Sequence, residues 1–178
     1  VATARSGNVI GGGDWSKNRL VPDAVTAFRQ NNPFVVRKPK AIRPWQFVLE
    51  PLAGYILLCQ NLTKHFQLFS EAWNFGPKST DEASVQQLAE ILVKSWGGDA
   101  RWVAKEDCKH PHEANSLRLN CTKARTKLGW QPQWNLVNSI DQTIAWYKKS
   151  IRGANMSDFS FSQINNFQKK FNKKEKYA

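Results

Sequence analysis

The sequence of 178 residues has no run of about 18 consecutive apolar residues, the length that a bilayer-spanning helix needs. Its first residues also lack the basic segment and apolar stretch of a secretory signal, so we expect a cytoplasmic location. Cysteine is scarce: Cys59, Cys108 and Cys121 are an odd number without close spacing, which excludes a disulfide framework and a four-cysteine zinc site. We interpret them as reduced structural thiols.

Two glycine patterns that bind nucleotide phosphates, G-x-G-x-x-G and G-x-x-x-x-G-K-[ST], are absent. The run Gly11-Gly12-Gly13 has neither spacing. We interpret it as a tight turn after a strand, with a phosphate-binding loop as the less favoured alternative. His110 and His112 flank a proline and have no third ligand nearby in the sequence, so we predict no metal site there.

Acidic residues are few, with 14 Asp and Glu against 26 Lys and Arg, and the formal net charge of +12 predicts an anionic partner. Phosphate groups, nucleic acid and a lipid surface are the candidates. Residues 148–178 carry six of the twelve net charges, so we interpret residues 151–178 as a basic, partly ordered tail and residues 1–150 as the main folded region. Aromatic and basic residues alternate in this tail, which leaves a nucleic-acid-binding module as an alternative of another class.

Hydrophobic periodicity predicts strands that alternate with helices, and hence an α/β fold. Helices are predicted over residues 19–30, from Pro51 onward, after a capping box of Ser84 and Gln87, over 122–128 and over 136–149. Strands are predicted at the start of the chain, at Phe34–Val36, 47–49, Ala72–Phe75 and 101–103. The inward stripe of the second helix is expected to consist of Leu52, Tyr55, Ile56, Cys59 and Leu62.

Six segments, in order over roughly residues 1–150, resemble the C-terminal part of extended short-chain dehydrogenases/reductases that act on nucleotide sugars. The segments are Arg5-x-x-Asn8-Val9-Ile10-Gly11, Arg19-Leu20-Val21-Pro22, Arg43-x-x-x-x-Val48, Trp73-Asn74-Phe75-Gly76, His112-Glu113, and Lys123-Ala124 leading into Leu128-Gly129-Trp130-x-Pro132. Within that superfamily the sequence is most similar to the CDP-glucose 4,6-dehydratases. The distinguishing features are Arg43-Pro44 in place of the usual Arg-Asp, the His-Glu-Ala-Asn run that starts at His112, and the Gly-Gly-Gly-Asp-Trp turn.

This resemblance implies an α/β fold made of the last strands of a Rossmann-type sheet and a small mixed α/β lobe that binds substrate. The implied activity is that of an NAD-dependent lyase, which converts CDP-D-glucose to CDP-4-keto-6-deoxy-D-glucose. The glycine fingerprint for NAD and the Tyr-x-x-x-Lys pair of the family are absent, and the chain does not begin with Met. We therefore expect a fragment that is inactive by itself, from a full-length protein that is a homodimer.

The resemblance also assigns roles to residues, all of them in holding the substrate. Asn8 and Arg43 match positions that contact the sugar diphosphate, and the planar fork of an arginine suits two phosphate oxygens. Residues that match nucleotide-lining segments are Arg19, Leu20, Pro22 and Val35. Further matches to substrate contacts are Asn74, His112 and Lys109, the last of which stands where relatives carry arginine. We expect Arg43, Asn8 and His112 to converge on one anion-binding cleft.

No catalytic residue is expected among these positions. The alternative within the same superfamily is another nucleotide-sugar dehydratase or a 4-epimerase, with a dTDP- or UDP-sugar as its substrate. Nucleic acid is the less favoured partner, and no membrane partner is expected.

Overall fold

The computed structural model describes residues 1–105 and 115–175, with side chains as far as Lys169. The strands in chain order are β1 (Thr3–Ser6), β2 (Asn8–Ile10), β3 (Phe34–Val36), β4 (Ile42–Arg43), β5 (Trp45–Phe47), β6 (Ala72–Phe75), β7 (Ala83–Ser84) and β8 (Trp102–Ala104). The helices are α1 (Leu20–Arg29), α2 (Leu49–Lys64), α3 (Phe66–Phe69), α4 (Val85–Trp96), α5 (Thr122–Lys127), α6 (Leu136–Ile151) and α7 (Met156–Glu175). None of these helices is long and apolar enough to cross a bilayer.

The strands pair two by two. β1 lies parallel to β6, β2 to β5 and β3 to β8, while β4 and β7 are antiparallel. Parallel strands require long crossover connections, and α1 lies in the connection between β2 and β5. The backbone N–H of Asn8 donates to the carbonyl of Pro44 at 2.9 Å, which sets the start of β2 against the segment before β5. A Cβ on the preceding residue, Gly7, would overlap with that same carbonyl.

Two clusters of buried apolar side chains hold these elements together. The first joins the inner faces of α1, α4 and α6, where Val25, Leu88 and Ile140 are fully buried. The second surrounds Trp73 and Trp130 and joins β6 to α5 and the segment after it. Each large apolar side chain that is buried contributes about 1.5–3 kcal/mol relative to an exposed one.

Most of the predicted elements are confirmed. β3 and β6 have the predicted bounds, and α1, α4, α5 and α6 lie where the periodicity predicts them. The capping box is present: the backbone N–H of Gln87 donates to Ser84 Oγ at 3.1 Å, and the backbone N–H of Ser84 donates to Gln87 Oε1 at 2.8 Å. Local signals suffice for these elements because caps and apolar periodicity act within a few residues.

The predicted bounds of the strand at residues 47–49 are wrong. The strand is β5, which ends at Phe47, and α2 begins at Leu49, so Pro51 is the third residue of the helix rather than its first. Proline is tolerated there because the first backbone N–H groups of a helix have no partner within the helix.

The predicted inward stripe of α2 is also partly wrong, because Leu52, Ile56 and Cys59 are exposed. The buried side of the helix instead contains Gly54 and Leu58. A Cβ at Gly54 would overlap with the ring of Phe75. Gly54 lets α2 lie close against β6, and this contact sets the rotation of α2 about its axis. The residues on the opposite side of the helix are therefore exposed.

The segment after Gly153 contains the helix α7, which spans residues 156–175. Phe167 is buried and its ring packs edge-on against Trp134, with the centroids 5.3 Å apart. Gln163 donates through Nε2 to the carbonyl of Gln142 at 2.8 Å, which ties α7 to α6. The division into a folded region and a tail remains a prediction.

Candidate functional site

A cavity of about 590 Å³ opens beside β2, α1 and β3. This volume lies in the range typical of sites for small ligands. One wall comes from the stretch that runs from Ser6 to Gly11, and a second from the N-terminal part of α1 with the residues just before it. The rest of the cavity wall includes Val35, residues of the segment from Arg37 to Arg43, Val85 and Leu117.

Six of the nine residues predicted to hold the substrate line this one cavity, and all six lie between residues 8 and 43. They are Asn8, Arg19, Leu20, Pro22, Val35 and Arg43. Asn74 does not line it: its side-chain Nδ2 donates to the carbonyl of Asn120 at 3.1 Å. Lys109 and His112 lie outside the described residues, as does the predicted convergence of His112 with Asn8 and Arg43.

The side chains around the cavity carry a positive net charge. The ionisable residues that line it are the basic Arg19, Arg37, Lys38 and Arg43 and the acidic Asp14 and Asp23. Arg43 is the most enclosed of the four cations, with 8% of its surface exposed. Its Nη1 donates to the carbonyl of Ile42 at 2.9 Å. A cation in so enclosed a position attracts an anion more strongly than one in bulk water, because the local dielectric constant is lower.

The backbone places Asn8 and Arg43 in the same part of the wall. Asn8 begins β2 and is the register partner of Trp45 in β5, two residues after Arg43. Arg43 itself is held in β4, where it pairs with Ala83 of β7. Both polar residues therefore sit at strand ends, where the surrounding sheets limit their movement.

The residue before α1, Arg19, forms an ion pair at the rim of the cavity. Its Nη1 lies 3.3 Å from Oδ2 of Asp14, and Oδ1 of Asp14 accepts the backbone N–H of Ser16 at 3.0 Å. Burial tends to raise the pKa of Asp14, but the hydrogen bonds from Ser16 and the charge of Arg19 outweigh it and hold the pKa below its ordinary value. Asp14 is therefore a carboxylate at neutral pH.

The turn that carries Asp14 is anchored on α6. The hydroxyl of Tyr147 donates to the backbone carbonyl of Asp14, and the ring of Tyr147 packs edge-on against Trp15 at a centroid distance of 5.0 Å. A Cβ at Gly12 would overlap with the indole of Trp146. Burial, together with the nearby charge of Asp14, raises the pKa of Tyr147 to about 12.

This packing also supports the interpretation of the glycine run as a tight turn. The space that a side chain of Gly12 would need is filled by Trp146, so the missing Cβ serves close packing. Gly13 has a φ of +83°, a backbone conformation that glycine adopts without strain.

Several lining residues were not predicted from the sequence. Arg37 and Lys38 directly follow β3, and their basic pair next to a nucleotide-lining segment was a usable signal. Asp14 belongs to the Gly-Gly-Gly-Asp-Trp turn, and the resemblance implies no role for it. Leu117 offered no signal. No group of three His, Cys, Asp or Glu residues in residues 1–105 and 115–175 is arranged to hold a metal ion.

The chain has a similar sequence among known proteins. No family model matches the chain. The chain is 45% identical over 167 residues to the CDP-glucose 4,6-dehydratase of Salmonella typhimurium strain LT2. The resemblance to the CDP-glucose 4,6-dehydratases is confirmed. The match covers 94% of this chain and 46% of the relative, so the chain spans about half the length of the curated protein that it matches.

Solved structures agree on the fold. The UDP-glucuronic acid 4-epimerase of Bacillus cereus, in complex with NAD and a UDP-sugar, matches 83% of this chain and 45% of its own with a TM-score of 0.70 at 17% identity. The UDP-glucose 4-epimerase of Thermotoga maritima, with UDP-glucose, matches 84% of this chain and 46% of its own with a TM-score of 0.69 at 21% identity. The dTDP-glucose 4,6-dehydratase of Bacillus anthracis, with NAD, matches 83% and 44% with a TM-score of 0.66 at 18% identity. The predicted α/β fold is thereby confirmed, and it corresponds to about half of each of these three chains.

Proposed function

We propose that the cavity beside β2, α1 and β3 binds the nucleoside diphosphate of CDP-glucose. The chain is then the substrate-binding portion of an NAD-dependent lyase that converts CDP-D-glucose to CDP-4-keto-6-deoxy-D-glucose. The full-length homodimer that the resemblance implies belongs to the same proposal. One observation carries it: Asn8, Arg19 and Arg43 line one cavity that is rich in basic side chains.

The chemistry of the wall suits the two parts of such a ligand. Arg43 supplies a planar guanidinium that can bind two phosphate oxygens at once, and Arg37 and Lys38 add positive charge nearby. Leu20, Pro22 and Val35 offer apolar surface against which a nucleoside can pack. A nucleotide that is bound at both its diphosphate and its nucleoside would fix the position of the attached glucose ring. Fixing the reacting sugar before the chemical step lowers the entropy that this step must lose.

The sequence lacks the glycine fingerprint and the Tyr-x-x-x-Lys pair through which the family handles NAD, the cofactor of the proposed full-length enzyme. At the glycine turn, the space that a Cβ would need is filled by Trp146 at Gly12 and by Val48 at Gly11, so close packing accounts for these two glycines. We therefore assign no proton or hydride transfer to any residue of this chain. We expect the 178-residue chain alone to bind CDP-glucose without converting it.

Calorimetric titration of the 178-residue chain with CDP-glucose, UDP-glucose and dTDP-glucose tests this proposal. We expect CDP-glucose to bind most tightly, with an affinity that falls as salt is added because charged groups supply much of it. R43M should weaken binding by about tenfold or more, since one charge-assisted contact contributes about 1.5–3 kcal/mol. R43K should weaken it less because it keeps the charge but loses the fork.

R152M is the matched control, because it removes the same charge from an exposed residue after α6 that does not line the cavity. It should leave the affinity within about twofold of the original chain. Equal effects of R43M and R152M would contradict the assignment of the site. Tighter binding of UDP-glucose or dTDP-glucose would replace CDP-glucose with the substrate of another dehydratase or an epimerase. If a short single-stranded oligonucleotide binds to the chain and none of the three nucleotide sugars does, the nucleic-acid-binding alternative is favoured.

A further inference from the structure

The ion pair of Asp14 and Arg19 places a negative charge at the rim of a cavity that is otherwise rich in positive charge. Both residues line the cavity. A carboxylate in this position repels an anionic ligand, so its presence needs a physical reason. The structure offers one, because Asp14 is held from several sides while Arg19 is held mainly by Asp14.

The backbone of Arg19 is anchored but its side chain is long and mobile. Its carbonyl accepts the N–H of Asp23 at 2.9 Å as the first hydrogen bond of α1. The side chain, however, is 64% exposed and would sample many rotamers without a partner. The contact from Nη1 to Asp14 restricts it, and it uses one of the five N–H donors of a guanidinium.

Asp14, by contrast, is fixed on the protein side. Its Oδ1 accepts the backbone N–H of Ser16, and its own carbonyl accepts the hydroxyl of Tyr147. The contact of Gly12 with Trp146 anchors the same turn on α6. Because the turn is anchored on α6, the carboxylate of Asp14 has a fixed position. Its contact with Arg19 therefore restricts the movement of the guanidinium at the rim.

We propose that Asp14 is a positioning residue, which holds the guanidinium of Arg19 at the rim of the cavity so that its remaining N–H donors bind a diphosphate oxygen. This role rests on the proposed nucleotide-diphosphate site. It also explains why a carboxylate stands beside an anion site: ordering Arg19 before the ligand arrives lowers the entropy lost on binding, and this gain exceeds the repulsion.

The sign of one substitution separates positioning from simple charge. If Asp14 acted only through its charge, D14N would remove repulsion and strengthen the binding of an anion. If Asp14 positions Arg19, D14N weakens binding. Asp141 provides the matched control, because it carries the same charge at an exposed position of α6 and does not line the cavity. D141N should leave the affinity within about twofold of the original chain.

The test uses CDP as the probe, titrated by calorimetry into the 178-residue chain at low salt. We expect R19M to weaken CDP binding by about five- to tenfold and D14N by about three- to fivefold, the ordinary size of a charge-assisted contact and of its ordering. The double variant D14N/R19M should bind CDP as R19M alone does, because Asp14 acts through Arg19. A purely structural role would not produce this coupling.

D14S guards against a variant that fails to fold. The serine hydroxyl can accept the backbone N–H of Ser16 and keep the turn, but it is too short to reach Arg19. We expect D14S to keep the melting temperature of the original chain and to match D14N in affinity.

Different outcomes overturn different claims. The positioning role is overturned if D14N binds CDP more tightly than the original chain does. It is also overturned if D14N weakens CDP binding by the same factor in the R19M chain as in the original chain. Either result leaves the proposed function intact. If the original chain fails to bind CDP, the proposed function falls, and the positioning role that rests on it falls with it.

Discussion

The carboxylate of Glu50 accepts the backbone N–H of Trp134 at 2.7 Å, which joins the first turn of α2 to a segment 84 residues later in the chain. Both carboxylate oxygens also accept the N–H of Gln133 at 2.9 Å, and the backbone carbonyl of Glu50 accepts the indole N–H of Trp130 at 3.2 Å. Glu50 is 1% exposed. The loop that leads into α6 is therefore tied to α2, and α6 in turn anchors the turn at the rim of the cavity.

Removal of this carboxylate should strongly destabilise the chain. E50A removes the acceptor of the buried N–H of Trp134 and of the part-buried N–H of Gln133, and we expect the free energy of unfolding to fall by about 2–4 kcal/mol. E50Q keeps one oxygen and should cost less than E50A. E90A, at an exposed position of α4, is the control and should change stability by less than about 0.5 kcal/mol. Urea unfolding followed by tryptophan fluorescence measures all three, and equal effects of E50A and E90A would contradict the anchoring role.

The docking of α7 depends on one aromatic side chain. F167A removes a buried ring that packs against Trp134, and we expect a loss of about 2–4 kcal/mol, seen either as lower stability or as local unfolding of the helix. F161A is the matched control on the same helix, because Phe161 is 62% exposed. Hydrogen exchange of residues 156–169 checks the result. Equal protection in both variants would show that the contact with Trp134 is unimportant.

Alanine at position 54 of α2 should destabilise the chain, although alanine favours helices more than glycine does. In an exposed helix, Gly→Ala stabilises by roughly 1 kcal/mol, but in G54A the new methyl group would overlap with the ring of Phe75. We expect G54A to lower the melting temperature, as overpacking typically costs about 1–3 kcal/mol. The smaller side chain of F75L should relieve the overlap, so G54A should cost less in the F75L chain than in the original one. A stabilised G54A chain would refute the close packing.

The hydroxyl of Tyr147 makes stability depend on pH at high pH. Burial raises its pKa from 10.0 to about 12, so between these values the folded chain holds a proton that the unfolded chain loses. The stabilisation is fully present below about pH 10 and is lost as the pH rises through about 12, by roughly 1–3 kcal/mol in total. The difference in unfolding free energy between the original chain and Y147F should shrink over this range. A constant difference would contradict the buried hydroxyl.

Much of this fold could be predicted from local patterns. The capping box of Ser84 and Gln87 and the periodicity of α1, α4 and α6 depend on residues within one or two turns, so the sequence alone contains them. The ordered motifs around Asn8, Arg19 and Arg43 predicted which segments line the cavity. No local pattern connects these segments, and only the resemblance to a known family linked them before the structure did.

Other features depend on partners that no local pattern identifies. The exposed face of α2 was decided by the contact of Gly54 with Phe75, because an amphipathic helix can rotate by a fraction of a turn and still bury a comparable apolar area. The helix α7 is ordered by contacts of Phe167 and Gln163 with distant residues, although its own mean hydropathy is low. The sequence by itself determined the elements and the residue types at the cavity. Only the tertiary structure decided that Asp14 lies against Arg19 on a turn held by α6, since hydrogen bonds across more than 100 residues follow from packing and not from spacing.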